Sequence, residues 1–223
     1  MRLALVGRPN CGKSTLFNQV AGYKAETGNF HGTTVTFTES TVRVAGEVVH
    51  LVDLPGAYTL EGSNPAEAEA GRYLASQDVD LIINVADASH LAQSLELTLE
   101  LLTLNRPMVL ALNMMDEATR LGIKVDGEGL SQELGIVVLP LVASKGRGVR
   151  GLFLKALEIA RQGTVLPPAL DVALTAQERH SRAAQLAQQF SQRGARALSW
   201  RDRLDDVLLH PVWGYTGLVL ILL

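Results

Sequence analysis

Gly7-Arg8-Pro9-Asn10-Cys11-Gly12-Lys13-Ser14 follows the apolar run of residues 3–6 and precedes a helical pattern at Leu16, Phe17 and Val20. The stretch fits G-x-x-x-x-G-K-[ST] in full, in the strand, loop and helix setting that this motif requires. Glycines let the loop turn its backbone N–H groups inward, and the helix N-terminus adds the positive end of its dipole, so the loop can cradle a polyphosphate. Lys13 is then expected to reach the β- and γ-phosphates and the Ser14 hydroxyl to bind Mg²⁺, with Thr15 in the same first helical turn.

Working outward, residues 28–34, Gly28-Asn29-Phe30-His31-Gly32-Thr33-Thr34, form a glycine-punctuated loop. Residues 35–44 and 48–52 are two strands of a hairpin turning at Gly46-Glu47. The second strand ends in Asp53-Leu54-Pro55-Gly56, and a helix begins near Pro65. Apolar strands at 81–86, 108–112 and 136–139 alternate with helices at 91–103, 115–121, 127–134 and 149–161. This alternation predicts an α/β fold: a mostly parallel six-stranded sheet, helices on both faces, one antiparallel hairpin. In such folds ligands sit at the carboxyl ends of the strands, where every loop named here lies. Pro167-Pro168 marks a linker. Beyond it, helices are expected at 176–193 and 200–209, so the division is 1–166, 167–209 and 210–223.

The net charge of −3 argues against a broad nucleic-acid surface, and 47% apolar residues suffice for a real core. Cys11 is the single cysteine, which rules out an internal disulfide and suits a reducing compartment. The first strand starts almost at Met1, leaving no room for a cleavable secretion signal. Residues 212–223 are nearly all apolar; twelve residues are too short to span a bilayer, so they read as a buried helix or as the start of a longer membrane segment. Arg201 and Arg203 before them fit a cytoplasmic flank, or equally a solvated helix paired with Asp202, Asp205 and Asp206.

The phosphate loop does not choose between ATP and GTP. Asn113-Met114-Met115-Asp116 after a core strand does: the Asp116 carboxylate can accept both N–H groups of guanine's Watson–Crick edge, while Asn113 reaches N7 and braces the loop. Backbone N–H groups at Ala143-Ser144 complete the base pocket. Asp53 is expected to hold Mg²⁺ through water, and the Gly56 N–H to bond the γ-phosphate. Thr34 is the chosen remaining Mg²⁺ ligand, with Thr33 as its rival. Ala57, after Gly56, has no group to orient water, whereas the Asn10 amide could hold a monovalent cation beside the phosphates.

GRPNCGKST, GNFHGTTV, DLPGAY, NMMDEA and GRGV together resemble the cytoplasmic part of the FeoB ferrous iron transporter family across nearly the whole chain. The resemblance implies a Ras-like GTPase domain, a small helical domain that modulates nucleotide binding, and a membrane region beginning near Val212. It implies GTP/GDP, Mg²⁺ and K⁺ as cofactors, with Asn10 and the carbonyls around Gly28 and Phe30 as potassium ligands. Its implied partners are the membrane transport domain of the same polypeptide, a homo-oligomer and small accessory proteins, at the cytoplasmic face of a bacterial inner membrane. Met114 stands where the wider superfamily has Lys in N-K-x-D, which predicts weaker binding and faster exchange.

Two rivals stay open. A ribosome-assembly or tRNA-modification GTPase should carry a basic RNA-binding module, and a non-catalytic guanine-nucleotide sensor would suit Ala57; a P-loop kinase has no use for Asn113 and Asp116. His31, His50, His90, His180 and His210 lack metal-ligand spacing and read as surface or packing residues. Cys11 reads as a small filler. Glu67 and Glu69 read as a solvated helix face, with contact to the Asp53 loop as the alternative.

Overall fold

Successive side chains of a strand point to opposite faces, and β1 (Arg2–Gly7) buries both sets. Leu3 and Leu5 enter one apolar cluster, Ala4 and Val6 the other. A strand buried on both sides has to be covered on both sides, so the fold is layered around β1.

The computed structural model describes residues 1–22, 26–30, 35–60, 64–75, 79–163 and 174–194. In chain order after β1 come α1 (Lys13–Ala21), β2 (Glu26–Asn29), β3 (Thr36–Val44), β4 (Glu47–Asp53), α2 (Pro65–Ala75), β5 (Leu81–Asp87), α3 (Leu91–Leu102), β6 (Met108–Asn113), α4 (Met115–Arg120), β7 (Ile123–Val125), α5 (Gly127–Leu134), β8 (Val137–Pro140), α6 (Val149–Gln162), α7 (Ala176–Phe190) and β9 (Ser191–Arg193). The main sheet has the order β2-β3-β4-β1-β5-β6-β8. β4, β1, β5, β6 and β8 run parallel, and β3 runs antiparallel to both of its neighbours, β2 and β4. α1 and α6 pack on the face of Leu3 and Leu5 through Leu16, Phe17, Leu152 and Phe153. α2, α3, α5 and α7 cover the face of Ala4 and Val6.

Three sequence expectations need correction. The sheet has seven strands, not six: Gly28 and Asn29 belong to β2, paired with β3, and not to a loop. Glu26–Asn29 carries no apolar alternation, because an edge strand is held by backbone pairing alone. The hairpin turns at Ala45-Gly46, both with positive φ (50 and 87), and Glu47 is already paired with Val44. This is the backbone sign that a two-residue hairpin loop matching strand twist requires. Ser191–Arg193 is not the tail of a helix; it forms β9, antiparallel to β7, because Asp126 N–H to Phe190 and Gly194 N–H to Gly122 fix the chain there.

α7 starts at Thr175, whose hydroxyl accepts from the Glu178 N–H while the Glu178 carboxylate accepts from the Thr175 N–H, a reciprocal cap. It buries Ala183, Leu186 and Ala187 in the cluster that includes α3. The linker prolines, the helix expected at 200–209 and the apolar residues 212–223 lie outside the described residues. No helix among the described residues is long and apolar enough to cross a membrane.

Candidate functional site

β1, β4, β5, β6 and β8 end on one edge of the sheet. β1 is flanked by β4 on one side and β5 on the other, so the chain's course reverses beside it and a crevice opens there. Gly7 closes β1 where a Cβ would lie 2.5 Å from the Val85 carbonyl oxygen and 2.7 Å from Cys11 Sγ, so no side chain fits. Asn10 (φ 65) and Gly12 (φ 86) then turn the loop through left-handed backbone into α1. A Cβ on Gly12 would come within 2.3 Å of Asn113 Nδ2.

Lys13 heads α1, and its ammonium pairs with Asp53 Oδ1 at the end of β4, both side chains buried. Ser14 Oγ donates to Asp53 Oδ2 at 2.9 Å. A hydroxyl and a carboxylate side by side are hard oxygen donors of the kind magnesium takes, so these residues fit that ion. The cleft beside them measures about 550 Å³ and is lined by Arg8, Pro9, Asn10, Gly12, Lys13, Ser14, Thr15, Gly56 and Met114.

After Asp53, the Leu54 N–H bonds Leu5 O (3.1 Å) and the Ala57 N–H bonds Gly7 O (3.2 Å), which fastens this loop to β1 on both sides of Pro55 and Gly56. A Cβ on Gly56 would meet Pro9 at 3.1 Å, so the two loops touch. Ala57 is fully buried and offers only a methyl. Glu67 is not solvated, as the sequence suggested. It is 1% exposed and accepts the Tyr58 N–H at 2.9 Å. Glu69, also buried, pairs with Arg72. Glu100 of α3, absent from the sequence reading, accepts both Thr59 Oγ1 and the Leu60 N–H at 2.9 Å.

On the base side, Asn113 is 3% exposed and holds two loops together. Its Nδ2 donates to Cys11 O and its Oδ1 accepts the Ala143 N–H, each at 2.9 Å. Met114 adopts left-handed backbone (φ 60), and its terminal methyl lies 3.6 Å from where a Gly12 side chain would begin, so it packs over the phosphate loop where a lysine stem would otherwise run. Asp116 accepts from the Glu117 N–H at 3.1 Å and pairs with Lys145 at 2.8 Å. The hydrogen bond from Lys145 holds its carboxyl below the ordinary value of 3.8. Lys145 was missed in the sequence; the signal available was its place directly after Ala143 and the exposed Ser144.

The structure thus brings together Gly7 to Thr15, Asp53 to Gly56, and Asn113 to Asp116 with Ala143. Thr33 and Thr34 lie outside the described residues. Gly28 sits in β2, and Phe30 is buried against Phe37 and Tyr73; neither lines the cleft with Asn10. Cys11 is buried and its thiol is pushed up to about 11, chiefly by that burial, in keeping with a filler. No group of three or more metal-ligating side chains occurs among the described residues. His50, His90 and His180 contact Thr41, Asp87 and Glu96 respectively, while His31 and His210 lie outside the described residues.

Comparison with known proteins agrees with this arrangement. The Fe(2+) transporter FeoB of Salmonella typhimurium is 44% identical over 156 residues, 68% of this chain and 20% of that protein, so the chain spans only a fifth of its curated relative. The cytosolic domain of L. pneumophila FeoB superposes with a TM-score of 0.79 at 28% identity, covering 86% of this chain and 100% of the other. A GDP-bound mutant of S. thermophilus NFeoB gives 0.70 at 35% identity, covering 75% and 65% respectively. The sequence model described as ferrous iron transport protein B matches residues 1–156, the whole α/β body up to the middle of α6, and the chain therefore belongs to that family.

Proposed function

We propose that this chain binds GTP and GDP with Mg²⁺, hydrolyses GTP, and serves as the nucleotide-dependent part of a ferrous iron transporter at the cytoplasmic face of a bacterial inner membrane. The observation that carries the reading is the convergence of Lys13, Ser14 and Asp53 with the Asn113 brace on one crevice. Lys13 and the loop N–H groups would hold the phosphates, Ser14 and Asp53 the magnesium, and Gly56 the γ-phosphate. Thr34, or Thr33 in its place, would complete the metal shell. Asp116 would read the guanine edge with the Ser144 N–H beside it, the Ala143 N–H being taken by Asn113. Hydrolysis is proposed to be slow and stimulated by K⁺ at Asn10. A GTPase domain over 1–166, a helical regulatory segment over 167–209 and a membrane segment from 210 complete the proposal, with the transport domain, a homo-oligomer and small accessory proteins as partners.

The buried methyl of Ala57 favours one other reading, a guanine-nucleotide sensor without turnover. Phosphate release from GTP in potassium and sodium buffers separates the two: turnover that rises in potassium and falls with Asn10→Ala supports the GTPase, and none in either salt supports the sensor. Asp116→Asn should move preference from guanine toward xanthine nucleotides. Unchanged GTP selectivity would overturn the base-pocket assignment.

A further inference from the structure

Arg8 belongs to the phosphate loop and lines the nucleotide cleft together with Gly56. Its guanidinium is tied down on α3, where one terminal nitrogen donates to the Gln93 carbonyl and lies 3.6 Å from Glu96 Oε2. The guanidinium carbon stands 4.9 Å from the ring centroid of Tyr58, within the distance at which a cation is drawn to an aromatic face. Tyr58 follows Gly56 by two residues and is 55% exposed, so little apolar packing holds its ring. Its backbone N–H is held separately, by Glu67.

We propose that the Arg8–Tyr58 contact sets the preference of this site between a nucleoside triphosphate and a diphosphate, because displacing the Gly56 loop costs the stacking of Tyr58. The inference rests on the nucleotide-binding reading above, in which the Gly56 N–H bonds the γ-phosphate. A diphosphate has no group to bond there and leaves the loop where it stands. A triphosphate draws on Gly56, which lies against Pro9. Ala57 is fully buried and its N–H is bonded to Gly7 O, so the movement is taken up at the exposed Tyr58. Arg8 cannot follow the ring, since Gln93 and Glu96 hold its guanidinium on α3. The contact is kept with diphosphate and lost with triphosphate, and its strength is subtracted from triphosphate affinity alone. Arg8 and Tyr58 act here as positioning residues, through Gly56.

The test is calorimetric titration of the full chain with GDP and with a non-hydrolysable GTP analogue, both with Mg²⁺. The proteins compared are the wild type, Tyr58→Leu, Tyr58→Phe, Arg8→Ala and Arg8→Ala combined with Tyr58→Leu. Tyr58→Leu is expected to bind the analogue roughly 2- to 5-fold more tightly, the range that a partly exposed cation–π contact carries, with its GDP affinity unchanged. Tyr58→Phe, which keeps the aromatic face, should match the wild type. In the Arg8→Ala background Tyr58→Leu should change neither affinity further. An unchanged or weaker analogue affinity in Tyr58→Leu overturns the inference. An equal gain with both nucleotides, or a gain that persists without Arg8, overturns it as well, because either marks a general loosening of the loop. If the wild type binds neither nucleotide, the nucleotide reading itself falls, an outcome distinct from normal wild-type binding with inert Tyr58 variants.

Discussion

Asn113→Ala removes one side chain and two contacts between segments far apart in sequence. Its amide satisfies the Cys11 carbonyl and the Ala143 N–H at 2.9 Å each, and all three residues are at most 3% exposed. A buried backbone group that loses its partner costs about 1–3 kcal/mol. Two such groups therefore cost about 2–6 kcal/mol, a large part of the roughly 5–15 kcal/mol that holds a domain together. For a chain of this size each kcal/mol lowers Tm by about 2–4 °C, so a loss on the order of 10 °C is expected even from the lower half of that range. Asn113→Asp keeps the acceptor for Ala143 but aims a carboxylate oxygen at the Cys11 carbonyl, so it should not rescue the loss. Calorimetric melting of the three proteins without nucleotide checks this. If Asn113→Ala melted within about 2 °C of the wild type, the bridge would carry no weight and the two loops would be held by something else.

Three further outcomes follow from the same geometry. Because Lys145 lowers the Asp116 pKa below 3.8, their pair stabilises the fold above that value and stops doing so as pH falls through the depressed folded pKa. Lys145→Ala should thus lower the unfolding free energy obtained from urea titration at pH 7 by under about 1 kcal/mol for so exposed a pair, and the gap should close as pH falls below 3.8. With its thiol raised to about 11 by burial, Cys11 should react with a thiol reagent at pH 8 at least about 100-fold more slowly than free cysteine, whose pKa is near 8.5; labelling at the free rate would contradict its position. GDP affinity measured by calorimetry should fall sharply when magnesium is chelated, because phosphates that draw Lys13 away leave the buried Asp53 carboxylate without a cation; equal affinity with and without metal would refute this.

The parts of the fold that could be read from the sequence are those whose burial is complete. Residues 3–6, 81–86 and 108–112 are covered on both faces, so each appears as an apolar run, broken in 81–86 by Asn84, whose amide donates to Thr98 Oγ1. β2, β7 and β9 depend on backbone pairing with strands elsewhere, and Glu26–Asn29 or Ser191–Arg193 leave no hydrophobic trace of it. The site follows the same division. Lys13, Ser14, Asp53, Asn113 and Asp116 each sit in a motif next to a core strand, where type and spacing suffice. Glu96, Glu100 and Lys145 matter because of how α3 and the Ala143 turn face loops distant in sequence. Glu67 was misread for a related reason: its helix face would be solvated if the Ala57 to Leu60 loop did not lie across it.

That loop shows how the site can respond to its ligand. Leu54 and Ala57 extend the hydrogen bonding of β1, which leaves only Pro55 and Gly56 between two fixed points, against Pro9. Farther on, Tyr58 hangs from Glu67 of α2, and Thr59 and Leu60 hang from Glu100 of α3. A pull on Gly56 by a γ-phosphate therefore cannot be absorbed by slack at Ala57. It must either break the Ala57 bond to Gly7 or pass into Tyr58 to Leu60, where two buried carboxylates would have to give up N–H and O–H donors together. Moving Tyr58 to Leu60 would break these three bonds together, which favours two discrete loop positions over a continuum.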